Sequence, residues 1–192
     1  MLTRQGLSLV KTQKRSPIEL ESTYVRSDRP LDLKPTAILI IGYGNTLRGD
    51  DGAGYYIAEQ MADHVATHAW AGVRSLSVHQ LLPELAAEMA DAQTVIFVDA
   101  AMPGEILTQP RLERLAAKAT ASPLGHHLDM RSLLDLAHQL YGATPTAYRL
   151  LIPTQTFDIG ITVSPLTQAA IAQAMSTLLE FVTHSIETEA SL

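Results

Sequence analysis

Unbroken apolar runs alternate along this chain with segments whose apolar positions recur every three or four residues. Ala37–Gly42 is such a run, as expected of a parallel strand covered on both faces. From Gly52 to about Ala66, Ala53, Ile57, Met61 and Val65 share one stripe, which predicts a helix. Val73–Val78 reads as a second strand and Pro83–Ala90 as a short helix with Pro83 near its first turn. Thr94–Ala100 is a further buried strand, and Ile106–Leu112 a polar, antiparallel edge strand. Met130–Tyr141 is a helix, with Met130, Leu133, Leu134, Ala137, Leu140 and Tyr141 on one face. Tyr148–Ile152 is a short strand stopped by Pro153. Ser164 and Pro165 then open a last helix as N-cap and first residue, with Ala170, Ile171, Ala174, Met175, Leu178 and Val182 facing the core.

This succession predicts an α/β fold: a three-layer α/β/α sandwich around a twisted, mostly parallel five-stranded sheet. The domain is expected over residues 35–185. Residues 1–34 mix charges and prolines without periodicity and read as a flexible N-terminal extension, and residues 186–192 as a tail. In open sheets of this kind ligands gather beyond the carboxyl ends of the strands.

Composition narrows the chemistry. The 192 residues, 46% hydrophobic with mean hydropathy +0.09, suit one compact domain. A formal charge of -6 and a pI near 5.6 argue against nucleic acid as the main partner. The absence of cysteine removes disulfides, thiolate metal sites and a cysteine nucleophile together. No apolar run reaches the length of a membrane span, and Arg4, Lys11, Lys14 and Arg15 interrupt any signal-peptide core, so a cytoplasmic location is expected; the protein is also expected to be a monomer.

The segment from Ile38 to Gly54 carries the clearest chemical signal. Strand, glycine-rich turn and helix start follow one another, an arrangement that often cradles phosphate. Gly44 and Gly49 have P-loop spacing, but Asp50 and Asp51 stand where that loop places Lys and Ser/Thr. A dinucleotide fingerprint needs a third glycine where this chain has Leu47. Two carboxylates repel phosphate and attract a cation; helix capping accounts for one of them but less well for two. Asp99 ends an apolar strand, where an unpaired carboxylate is costly. It either accepts backbone N–H bonds or shares a cation with the acid beyond the neighbouring strand. His126 and His127 lie in a loop before a helix that Asp129 can cap. Two carboxylates and one imidazole suit nickel, zinc or another divalent ion.

In order, Gly42-x-Gly44-Asn45-x-Leu47-x-x-Asp50-Asp51-Gly52-x-Gly54, Asp99-Ala100, His126-x-Leu128, Ile152-Pro153, Ile159-Gly160 and Ser164-Pro165 resemble the motifs of nickel–iron hydrogenase maturation proteases. The resemblance covers about Thr36 to Val182. It implies a twisted sheet between helices and endopeptidase cleavage of a C-terminal extension from the hydrogenase large-subunit precursor. The metal would be nickel carried by the substrate, with no organic cofactor. It further implies metal positions at Asp51, Asp99 and His126, and a catalytic role for Asp51 and Asp99, one of them as general base; Asp50 belongs mainly to the turn. Relatives often carry Glu at the position of Asp51. A family stretch rich in Asp, Gly and Thr is replaced here by residues Ser77 to Glu84, which resembles the subgroup serving bidirectional hydrogenases. The alternative is a non-catalytic nickel chaperone or precursor-binding module using the same ligands. An α/β enzyme acting on a phosphorylated small molecule is disfavoured by Asp50 and Asp51.

Overall fold

The computed structural model of the chain describes residues 37–115 and 129–189, all within the unit Lys34–Leu192. Five strands, β1 (Ile38–Tyr43), β2 (Val73–Val78), β3 (Thr94–Ala100), β4 (Arg111–Arg114) and β5 (Thr146–Ile152), form one sheet in the order β2-β1-β3-β5-β4. All neighbours are parallel except β4, which runs antiparallel to β5 at the edge. The helices are α1 (Ala53–His68), α2 (Leu85–Met89), α3 (Met130–Tyr141) and α4 (Pro165–Glu189).

Successive side chains of a strand point to opposite faces, so β1 feeds two cores at once. Ile38 and Ile40 pack with Ile57 and Met61 of α1 and Ala174 and Leu178 of α4. Leu39 and Ile41 pack on the other side with Leu85 and Met89 of α2 and Leu133 and Ala137 of α3. The result is the expected α/β/α sandwich with a mostly parallel five-stranded sheet. No described helix is long and apolar enough to cross a membrane.

Where element bounds differ from expectation, local backbone chemistry explains it. The edge strand begins at Arg111, later than Ile106–Leu112, because Pro110 has no N–H for a ladder and Ile106 is 96% exposed. The second helix starts at Leu85 because Leu85 and Ala86 bond back to the carbonyls of Leu82 and Pro83 in a tight turn. Helix α1 continues to His68 and stops at Ala69, whose φ of 49° is left-handed without the glycine that usually marks such a cap.

The chain leaves β1 toward β2 on one side and returns through β3 on the other, so the sheet's topological switch lies between β1 and β3. Close contact there depends on Gly54. A Cβ on Gly54 would lie 2.3 Å from the Val98 carbonyl oxygen and 2.5 Å from that of Tyr43. Neither backbone oxygen can yield, so Gly54→Ala is expected to cost about 3 kcal/mol in urea unfolding. A loss below about 1 kcal/mol would mean that the helix start can shift off the sheet.

Candidate functional site

The β1–α1 connection folds tightly on itself. Gly44 has a φ of 143°, and a Cβ there would lie 1.8 Å from the Asp51 carbonyl oxygen. The Asn45 side chain accepts from Leu47 N at 2.9 Å, an Asx turn, while Asn45 N donates to Asp51 Oδ2 at 3.1 Å. These bonds hold the half-buried Asp51 against the mouth of the turn.

Asp50 and Asp51 have separate tasks. Asp50 is fully buried and accepts four bonds: Ser164 N at 2.6 Å, Ser164 Oγ at 2.8 Å, Gln155 N at 2.8 Å and Thr156 N at 3.2 Å. Burial pushes its pKa up, but the donors of Ser164, Gln155 and Thr156 together hold it below the usual carboxylate range. Ser164 also caps α4 by accepting from Thr167 N at 3.3 Å, as the sequence predicts. Two backbone bonds, Gly49 N to Gly160 O at 2.7 Å and Gly160 N to Leu47 O at 2.9 Å, complete a clasp between this turn and the loop after β5. With four donors on its carboxylate, Asp50 ties the turn to the loop after β5 and to the start of α4.

Asp99 sits at the carboxyl end of β3, half-buried. Burial pushes its pKa up; a hydrogen bond from the Tyr43 hydroxyl, the Arg149 charge and the Ala100 N–H oppose that rise, and the nearby Asp51 charge adds to it. Burial also lifts the Tyr43 hydroxyl far above the ordinary tyrosine range, the Asp99 charge adding to the effect, so Tyr43 stays protonated and donates. Arg149 in turn places Nε and Nη2 3.0 and 2.6 Å from Glu113 Oε1.

The structure thus brings Asp51 and Asp99 within electrostatic range of each other at the switch point. Among the described residues no group of three His, Asp or Glu side chains is arranged to hold a metal ion. His126, the third sequence-derived ligand, and His127 lie outside the described residues. Asp129, which follows them, caps α3 by accepting from Ser132 N at 2.7 Å, and its charge reaches Tyr43. Sequence reasoning missed Tyr43 and Arg149. A signal existed for Arg149: a lone cation inside the apolar strand Tyr148–Ile152 requires a carboxylate partner.

No protein-family model and no curated protein matches the chain. Solved structures do. The NiFe hydrogenase maturation protease HycI from Thermococcus kodakarensis superposes with a TM-score of 0.64 at 20% identity, over 77% of this chain and 93% of its own. The hydrogenase maturating endopeptidase HybD from E. coli gives 0.60 at 22% identity, over 78% and 93%. HybD from Thermococcus kodakarensis gives 0.59 at 20% identity, over 76% and 99%. The chain therefore has the fold of the hydrogenase maturation proteases.

Proposed function

We propose that the protein is an endopeptidase that removes the C-terminal extension of a nickel–iron hydrogenase large-subunit precursor after nickel insertion. The observation that carries this reading is the Asp51–Asp99 pair, one in the β1–α1 turn and the other at the end of β3, on the maturation-protease fold. Nickel belongs to the substrate, and Asp51, Asp99 and His126 reach it there. The three-residue step from His126 to Asp129 spans at most roughly 10 Å, and Asp129 already acts on Tyr43 beside Asp99. Bound metal supplies Lewis acidity at the scissile carbonyl or the attacking water. Asp99, with its raised pKa, is the better suited of the two carboxylates to accept the proton.

A protein substrate also accounts for the surface around the clasp. Leu47, Ile159 and Ile161 are 62%, 94% and 74% exposed on the interlocked loops, an apolar display that a macromolecular partner covers. A cavity of about 670 Å³ lined by Tyr56, Ile161 and Ile171 adjoins these apolar residues and contains neither Asp51 nor Asp99. Residues Ser77 to Glu84 favour a bidirectional-type hydrogenase as the substrate. The reaction is assigned to a cytoplasmic monomer that uses no organic cofactor, nucleic acid or membrane.

Purified protein is expected to shorten a nickel-loaded precursor and leave the nickel-free precursor intact, as read by mass spectrometry of the substrate. Equal cleavage of both forms overturns nickel sensing. Cleavage of neither favours a precursor-binding chaperone.

A further inference from the structure

Asp99 is held from two sides. Gly42 pairs with Val98 in the β1–β3 register, which sets Tyr43 beside Asp99 on the sheet face shared with Ile41 and Phe97. On the other side Arg149 pairs with Phe97 and Leu151 with Asp99, so Arg149 lies one step behind Asp99 on the same face. Its guanidinium is fixed in turn. Glu113 stands directly across the antiparallel β4–β5 pair, and two guanidinium nitrogens, 3.0 and 2.6 Å away, converge on its Oε1. Glu113 Oε2 has a second cation in Arg111, at 3.3 Å. Arg149 is therefore not needed merely to neutralise Glu113, and its charge acts on Asp99 and on Tyr43.

We propose that Tyr43 and Arg149 are positioning residues that hold the Asp99 carboxylate in a single orientation beside Asp51, with Glu113 of the edge strand fixing Arg149. A carboxylate on a strand end turns about its last torsion; the hydrogen bond from the Tyr43 phenol restricts that turn, and the charge of Arg149, fixed one step behind by Glu113, biases the carboxylate toward one orientation before the substrate arrives. The edge strand β4 thereby acquires a purpose beyond covering β5: it carries the group that aims Arg149. The inference rests on the function proposed above for what Asp99 does, but not for how Asp99 is held.

The test uses full-length protein and two readouts. The first is the carboxyl ¹³C resonance of Asp99 at fixed pH, a direct reporter of its hydrogen bonding. The second is kcat and KM on nickel-loaded precursor. Tyr43→Phe is expected to move the resonance, leave KM and Tm near wild type and lower kcat about tenfold, the lower end of what outer-shell partners of metal ligands contribute. Arg149→Lys keeps the charge but loses the fork, and it is expected to lower kcat by a similar factor. An Asp99 resonance that stays in place in both variants overturns the proposal, as does an unchanged kcat. Wild-type protein that processes no precursor defeats the proposed function alone, because the Asp99 resonance must still move in Tyr43→Phe.

Discussion

Asp50→Ala is expected to be the most destabilising single substitution at the clasp, at about 3–5 kcal/mol in denaturant unfolding at neutral pH. The carboxylate is fully buried and serves three backbone N–H groups and one hydroxyl. Bonds to a charged acceptor contribute roughly 1.5–3 kcal/mol each, and stranded buried donors cost about 1–3 kcal/mol apiece, although water readmitted to the gap recovers part of this. Asp50→Asn is milder, at about 2 kcal/mol. Its single oxygen can keep the three bonds at Oδ2, but its NH2 then meets the Ser164 N–H donor to donor. The pH dependence follows from the lowered pKa. A carboxylate depressed in the folded state contributes stability that is complete above its unfolded pKa of about 4 and is lost as pH falls through the folded value. The gap between wild type and Asp50→Ala should therefore narrow in acid. A gap of less than about 1 kcal/mol at neutral pH would show that the clasp holds without Asp50.

Asp99→Asn acts in the opposite way. Processing of nickel-loaded precursor should fall by about 100-fold or more, the typical contribution of a positioned acid–base group, while the folded state keeps its stability or gains slightly. The sign comes from the raised pKa. A group whose pKa rises on folding stabilises the fold only below its unfolded value, so ionised Asp99 costs stability at neutral pH and a neutral amide removes that cost. Asp51→Asn and His126→Ala should also abolish processing, and Asp51→Asn should change Tm little, because the Asp51 side chain makes none of the bonds from Asp50 to the loop after β5. His126→Ala and His127→Ala form a matched pair, since neighbouring side chains of a loop point in different directions. If His127→Ala is the more damaging in both nickel binding and processing, the ligand set moves by one residue. Full activity in Asp99→Asn would remove the carboxylate pair from the mechanism.

Different parts of this architecture were legible in the sequence to different degrees. Strands β2 and β3 and helix α3 were readable to the residue, because their apolar runs and periodic faces meet both cores. The ends of α1 and α2 were not, since Ala69 makes a left-handed cap without glycine and the start of α2 is set by turn bonds that leave no compositional trace. At the site, Asp99 could be read because it interrupts an apolar pattern, and Asp50 and Asp51 because they stand where a phosphate loop places Lys and Ser/Thr. The resemblance separated Asp51 from an Asp50 that belongs mainly to the turn, but the partners of Asp50 could not be read. They are Ser164, Gln155 and Thr156, more than 100 residues away, and local sequence carries no record of a partner at that distance. Tyr43 was hidden for a similar reason: a tyrosine in an apolar strand looks like packing until the neighbouring strand supplies its acceptor.

The same long reach dictates when the site can come into being. Asp50 finds its last partner 114 residues further along the chain. As the polypeptide emerges from the ribosome, β1, α1 and β3 can pair while the acidic turn still lacks its counterpart, because contacts of such separation pay their loop-closure cost late. The seat of Asp50 closes only when Ser164 and the start of α4 arrive. Weakening it should therefore accelerate the opening of the finished molecule while leaving its rate of assembly almost untouched. A nascent chain that stops short of α4 would carry both acids of the pair yet lack the brace for the turn that bears Asp51.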